Sequence, residues 1–274
     1  MFLVLTYHRI VESRDAIVDF FDVSASELES QIARVRNVWG RCVTPDALLE
    51  AQDCRDDVKQ GFLVTFDDGT PDHYTLAAPL LERQGARGVF FVNTARLGND
   101  RRLSIQQCQE LQARGHAIES HSHEHKRLTQ LPAGVLHRHL AESRRTLHDL
   151  GLGVWDFLAP PGGAMNPSTI QAAHAEGYRL LRTLEWGYNR ALNPLLLQSI
   201  TVNRSTAGSW FRPLISPRGE RIKRAFYRTK ELIKHSSLGP LYFGLREPNP
   251  KNRPVLQTSD NVAANAATPA ADSR

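Results

Sequence analysis

Gly61-Phe-Leu-Val-Thr-Phe-Asp-Asp-Gly69 is an apolar run that stops in two carboxylates and a glycine. It reads as a β-strand that delivers Asp67 and Asp68 to its C-terminal end. Neighbouring strand residues point to opposite faces, so the two carboxylates would diverge if the extension continued. Gly69 tolerates a positive φ and relaxes that geometry. In parallel α/β folds the C-terminal edge of the strands is where sites are built. Alone, Asp-Asp-Gly is an ordinary solvated turn, so its meaning depends on its surroundings.

The same alternation repeats in both directions. Residues 2–7, 88–92, 116–119, 155–158 and 178–183 read as further strands. Between them fall helix signals. A capping box from Ser24 to Glu27 opens a helix to about residue 37. Thr44-Pro45 opens another, residues 72–84 read as helix closed by Gly85, and Ser104 caps one that Gly115 stops. Residues 132–150 form a long helix, and Asn166-Pro167 opens one that Gly177 closes. Strands alternating with helices at short spacing argue parallel βαβ units, in a barrel or a doubly wound sheet. No internal repeat is present.

The chain has 274 residues, 41% of them hydrophobic, enough for one sizeable core. Its three cysteines, Cys42, Cys54 and Cys108, are odd in number and lack CxxC pairing, which favours a reducing compartment. The N-terminus lacks a basic region and a cleavage site, and no stretch approaches the ~20 apolar residues of a membrane span. A cytoplasmic location is the expectation. Net charge is +5, and between Arg212 and Lys234 lie eight Lys or Arg against Glu220 and Glu231. Such a segment is a solvated helix face or a peripheral contact with anionic membrane or acidic glycan. With only Phe226 and Tyr227 interleaved, nucleic acid is not an expected partner. After residue 248, Pro, Asn, Ala, Ser and Thr dominate, the composition of a disordered tail.

A second chemical string, His121-Ser-His-Glu-His125, follows the strand that ends near Glu119. On one helical turn His121 and His125 would share a face and point at one ion. With Asp67-Asp68, two imidazoles and two carboxylates are the parts of a divalent metal site that activates water, with a base beside it. His123 and Glu124 read as bystanders.

In this order, Thr65-Phe-Asp-Asp-Gly69, His121-Ser-His-Glu-His125, Ala159-Pro-Pro-Gly-Gly163 and Glu176-Gly-Tyr-Arg-Leu-Leu-Arg-Thr183 resemble the polysaccharide deacetylases of carbohydrate esterase family 4, the NodB homology domain. The resemblance covers roughly residues 3–206 and implies a single distorted (β/α) barrel, assigned to residues 1–210; composition adds a basic, helical extension over 211–247 and the tail over 248–274. The resemblance also implies one divalent ion, Zn2+ before Co2+, Ni2+, Fe2+ or Mn2+, held by Asp68, His121 and His125. Asp67 matches the catalytic base, and the substrate is an N-acetylated carbohydrate, in exopolysaccharide or cell-wall metabolism. Pro161, Gly162 and Gly163 match a groove wall, to which Trp186 and Tyr188 are candidate aromatic additions.

Two features depart from the usual pattern. The late Leu-x-His that supplies the proton donor is absent, and residues 197–210 hold no histidine. His8, at the end of the first strand, resembles the donor of the permuted biofilm poly-N-acetylglucosamine deacetylase branch and is read as the general acid. The arginine that usually precedes the prolines and orients the base is replaced by Ala159, which leaves Asp67 without an assigned partner. The alternatives are a hydrolase of another non-peptide C–N bond, of cyclic amide type, and a non-catalytic carbohydrate-binding relative.

Overall fold

Two six-residue strands with every side chain buried, β1 (Phe2–Tyr7) and a second at Gly61–Phe66, lie side by side in parallel register. The pairing runs from Phe2 opposite Gly61 to Tyr7 opposite Phe66. Around this pair the computed structural model describes residues 1–54, 60–99 and 101–216. After β1 come a short parallel pair, β2 (Ile10–Val11) and β3 (Val23–Ser24), helix α1 (Ala25–Trp39), strand β4 (Arg41–Cys42), helix α2 (Pro45–Asp53) and then β5, the Gly61–Phe66 strand. The chain continues through α3 (Ala78–Arg83), β6 (Gly88–Val92), α4 (Ile105–Ala113), β7 (Ala117–Ser120), α5 (Ala133–Asp149), β8 (Phe157–Leu158), α6 (Pro167–Ala175), β9 (Leu180–Leu181), β10 (Ile200–Thr201) and α7 (Phe211–Ile215).

The main sheet is parallel, in the order β10-β1-β5-β6-β7-β8-β9, with β4 added beside β5. Its two edges are joined. The Leu197 amide donates to the Leu181 carbonyl and Thr183 donates back to Leu197, while three residues later β10 pairs with Leu5 and Thr6 of β1. This closure makes the sheet a distorted (β/α) barrel and decides between the two architectures that strand–helix alternation leaves open.

Strand periodicity sorts the side chains. Leu3, Leu5 and Tyr7 of β1, with Phe62, Val64 and Phe66 of β5, pack outward against Leu28, Ile32, Val35 and Trp39 of α1 and Leu81 of α3. The alternate positions Phe2, Val4, Leu63, Val89, Phe91, Ala117, Phe157 and Leu180 form a second cluster that fills the interior. Continuing that inner phase upward gives Thr6 and His8, Thr65 and Asp67, Glu119 and His121, and Arg182. The chemistry-bearing residues are therefore the next rung above the apolar filling, at the C-terminal mouth.

Several expected elements hold and some shorten. The Ser24 hydroxyl accepts from the Glu27 amide and the Glu27 carboxylate accepts from the Ser24 amide, the reciprocal cap read from the sequence. The helix expected at residues 72–84 is broken into a π-helical turn, His73–Ala77, followed by α3. The strands expected at 155–158 and 178–183 contract to two residues each.

α7 starts where the basic extension was expected. Phe211, Leu214 and Ile215 are buried in the outer core, and the Trp39 indole donates to the Ile215 carbonyl at 2.8 Å. The remainder of the expected extension and the tail at 248–274 lie outside the described residues. Among the described residues no helix is long and apolar enough to cross a membrane.

Candidate active site

Asp67 leaves β5 in the inward phase, and its amide donates to the Tyr7 carbonyl, so the strand pairing carries on for one more residue. The divergence expected of Asp68 is removed by backbone conformation: Asp68 has φ 77° and Gly69 φ 61°. Asp68 itself adopts the left-handed conformation, which an aspartate tolerates better than most residues. A Cβ on Gly69 would run into the Val92 side chain.

His121 and His125 meet Asp68, but not on a helix. The segment from His121 to Arg127 is irregular, and Ser122 takes φ 68°, which reverses the chain and returns His125 over His121. The shared helical face inferred from the i, i+4 spacing is thus replaced by a loop that achieves the same convergence. The Nε2 atoms of His121 and His125 stand 3.6 and 3.2 Å from Asp68 Oδ1, and the rings are 5.1 Å apart. Among the described residues this is the one group of three His, Cys, Asp or Glu whose ligand atoms converge, all within 4.8 Å of one another.

The donor set fits a divalent ion on an independent observation. His121 Nδ1 donates to the Ala159 carbonyl at 2.6 Å, which leaves the Nε2 lone pair directed at Asp68. Burial lowers the His121 pKa and favours the neutral, ligating imidazole. Burial works against ionisation of Asp68, but its hydrogen bond to His125, helped by the neighbouring His121 and His8 rings, holds it well below the usual carboxylate range. His123 takes no part. Its Nδ1 lies 2.9 Å from the Thr94 hydroxyl. Glu124 is half-buried and pairs with Lys126.

Ala159 left the partner of Asp67 open, and the structure supplies it. Arg182, fully buried just past β9, places one guanidinium nitrogen 2.7 and 2.8 Å from the two Asp67 oxygens. A second nitrogen donates to the Thr6 hydroxyl at 2.9 Å, and the guanidinium lies over the Phe91 ring. Burial pushes Asp67 up, but Arg182, with His121 and His8, outweighs it and keeps the carboxylate ionised below its ordinary range. Sequence reasoning missed Arg182. The available signal was its phase: it ends an apolar strand run two residues after the inward Leu180.

His8 faces this carboxylate, with Nε2 3.9 Å from Asp67 Oδ2. Its ring packs on Phe21 at 4.5 Å, and its side chain is 20% exposed, so it sits at the mouth. Burial lowers its pKa, opposed by Asp67 and Asp68. Phe21 is held there by Asp22, which binds the Arg9 guanidinium at 2.8 and 2.5 Å and accepts from the amides of Val18 and Asp19.

Of the expected groove wall, Pro161–Gly163 forms a tight turn after β8, with Gly162 and Gly163 at φ 69° and 65°. A Cβ at Gly163 would overlap Leu184. The two aromatics divide. Trp186 is partly buried against the core. Tyr188 is no wall residue: it is buried against Trp39, and its hydroxyl donates to the Leu214 and Ser216 carbonyls. Its apolar ring and single polar tip suit that interior position.

Residues 55–181 match the family model for polysaccharide deacetylase. Over those residues the chain is similar to the polysaccharide deacetylases. The Bacillus subtilis (strain 168) protein YxkH, assigned to the polysaccharide deacetylases, is 27% identical over 211 residues, 76% of this chain and 74% of that one. The chain also resembles the Streptococcus pyogenes deacetylase PplD, solved with acetate, at TM-score 0.68 and 23% identity, covering 78% of this chain and 98% of that one. It resembles IcaB from Ammonifex degensii at TM-score 0.67 and 26% identity, covering 77% and 97%. These structures share the barrel. The polysaccharide deacetylases are hydrolases of the carbon–nitrogen bond in carbohydrate N-acetyl groups, and the domain is of that class.

Proposed function

We propose that the protein is a divalent-metal-dependent N-deacetylase of a carbohydrate, with Asp67 as general base, His8 as general acid, and Asp68, His121 and His125 as the metal ligands. The observation that carries this reading is the meeting of an ionised carboxylate and an imidazole, 3.9 Å apart, beside the Asp68, His121 and His125 group. When bound, a divalent ion supplies Lewis acidity, which polarises the amide carbonyl and makes water more acidic. Zn2+ suits one carboxylate and two imidazoles, with Co2+, Ni2+, Fe2+ and Mn2+ as competitors.

The chain's own groups handle the protons. Asp67, kept ionised by Arg182, takes the proton of the attacking water. His8, protonated, gives its Nε2 proton to the amine nitrogen as the C–N bond breaks, and the acetic acid and amine so formed leave as acetate and the ammonium ion. The Pro161–Gly163 turn follows Ala159, whose carbonyl holds His121, and is assigned to the groove wall, with Trp186 as an aromatic addition. The position of His8 on the first strand supports the permuted arrangement. A non-catalytic reading drew on Ala159 and the absent late histidine. Arg182 now occupies the role that Ala159 vacates, and His8 the other.

The test is acetate release from N-acetylglucosamine oligomers with added Zn2+ or Co2+. Asp67→Asn and His8→Ala are expected to lose at least about 100-fold in kcat while still binding the metal in equilibrium dialysis. Equal release by Asp67→Asn would sink the assignment. His121→Ala should abolish metal retention as well as turnover.

A further inference from the structure

The deacetylase reading leaves one buried imidazole unexplained. His73 is fully buried in the first turn after the Asp67-Asp68-Gly69 motif, between the rings of Phe66 and Phe90 at 5.3 and 5.5 Å. Its Nε2 lies 2.8 Å from the backbone carbonyl of His8, and its Nδ1 has no hydrogen-bond partner among the described residues. A carbonyl only accepts, so Nε2 carries the proton and the tautomer is fixed. The residue before it, Asp72, accepts the backbone amide of Ile10 at 2.6 Å. Two consecutive side chains therefore grip the backbone on either side of Arg9, where β1 has ended and β2 begins.

This grip has a reason at His8. The His8 Nδ1 is buried and has no hydrogen-bond partner among the described residues, so no carboxylate orients the ring from the side opposite Asp67. What fixes the imidazole is the Phe21 face on one side and the direction in which the backbone launches Cβ. The π-helical turn His73–Ala77 rotates consecutive residues differently from an α-turn, and such turns recur at functional sites. Here it sets Asp72 and His73 against the end of β1.

We propose that His73 and Asp72 are positioning residues that aim His8 at the leaving nitrogen, so that one segment, residues 67–73, carries the base and also sets the acid. This rests on the assignment of His8 as general acid. Misplacement of an acid by a fraction of an ångström reduces proton transfer without altering substrate contacts.

The test uses the full-length, zinc-loaded protein and two pairs of variants. His73→Leu removes the donor, and His73→Gln places an amide N–H near the original Nε2. Asp72→Ala removes the acceptor, and Asp72→Asn keeps one. With N-acetylglucosamine oligomers, His73→Leu and Asp72→Ala are expected to lower kcat about 10- to 100-fold at unchanged KM, with recovery in the Gln and Asn variants. Hydrolysis of 4-nitrophenyl acetate, whose leaving group departs without a proton, should change by less than about twofold. Equal loss on both substrates, or full activity in His73→Leu and Asp72→Ala, overturns the proposal. A second readout needs no turnover. The NMR shift that the Phe21 ring imposes on the His8 ring protons should collapse in His73→Leu and return in His73→Gln. An unchanged His8 signal overturns the positioning role by itself. A wild type that turns over no acetylated sugar defeats the deacetylase reading instead, and the His8 signal still decides this one.

Discussion

Arg182 and Asp67 show what a single residue decides at this site. A carboxylate buried this deeply would ordinarily protonate, and a base that is protonated is useless. The guanidinium prevents that, and Thr6 and Phe91 hold the guanidinium in turn. Because the Asp67 pKa is depressed on folding, its contribution to stability is present above the ordinary carboxylate pKa, about 3.9, and is lost as pH falls through the folded value. Arg182→Met should reverse the shift. The acid limb of the kcat/KM profile would move to higher pH, and stability at neutral pH would fall by about 3–5 kcal/mol, the usual result of breaking one half of a buried pair. Arg182→Lys should not restore the profile, since an ammonium cannot serve both Asp67 and Thr6 in one plane. A pH–rate series with thermal melts checks all of this, and an unmoved acid limb would remove Arg182 from the role.

Individual elements explain why the sequence spoke clearly in some places and poorly in others. β1 and β5 were legible because both are long, apolar at all but a threonine position, and bounded, and the Ser24 cap because its partners are three residues apart. The strand expected at 155–158 is cut to its last two residues by a long-range contact. The buried carboxylate of Glu119 in β7 accepts the amides of Trp155 and Phe157 at 3.2 and 2.8 Å, so a side chain replaces the strand ladder there. Nothing local in residues 155–158 announces this. Asp68, His121 and His125 do converge as the sequence suggested, but through a loop and not the expected helical turn, because Ser122 takes a positive φ where no glycine marks the turn. Arg182 was unreadable as a partner for Asp67, since their contact spans 115 positions.

Glu119 also carries a prediction at this scale. Burial pushes its pKa up to about 8, against the two amides that favour its ionised form. The unfolded group titrates near 4.3. Its share of stability is therefore complete below about pH 4 and is lost as pH rises toward 8. Thermal midpoints should decline across that window, and Glu119→Gln should flatten the decline. A slope identical in the variant would show that other groups control it.

At the level of the whole molecule, the barrel is an apolar stack capped by a polar rung. The interior from Phe2 to Leu180 is a cluster of buried apolar side chains, so the polar groups gather on the rung above it. The outer layer depends on the last described helix as well as the first. Phe211→Ala would open a void beside α1 and should cost about 3–5 kcal/mol, measured by denaturant titration with activity per folded molecule unchanged. A cost below about 1 kcal/mol would show that α7 is peripheral to the fold.

The register of β1 against β5 sets Tyr7 opposite Phe66 and so makes His8 and Asp67 the next facing pair. In the proposed reaction each turnover leaves Asp67 with a proton gained and His8 with one lost. The two atoms that must exchange it stand 3.9 Å apart. Strand pairing thus builds in a recharging step: one hop between neighbours returns both groups to their starting state. The turnover rate should accordingly be insensitive to buffer concentration, because the proton that begins a cycle is the one that ended the last.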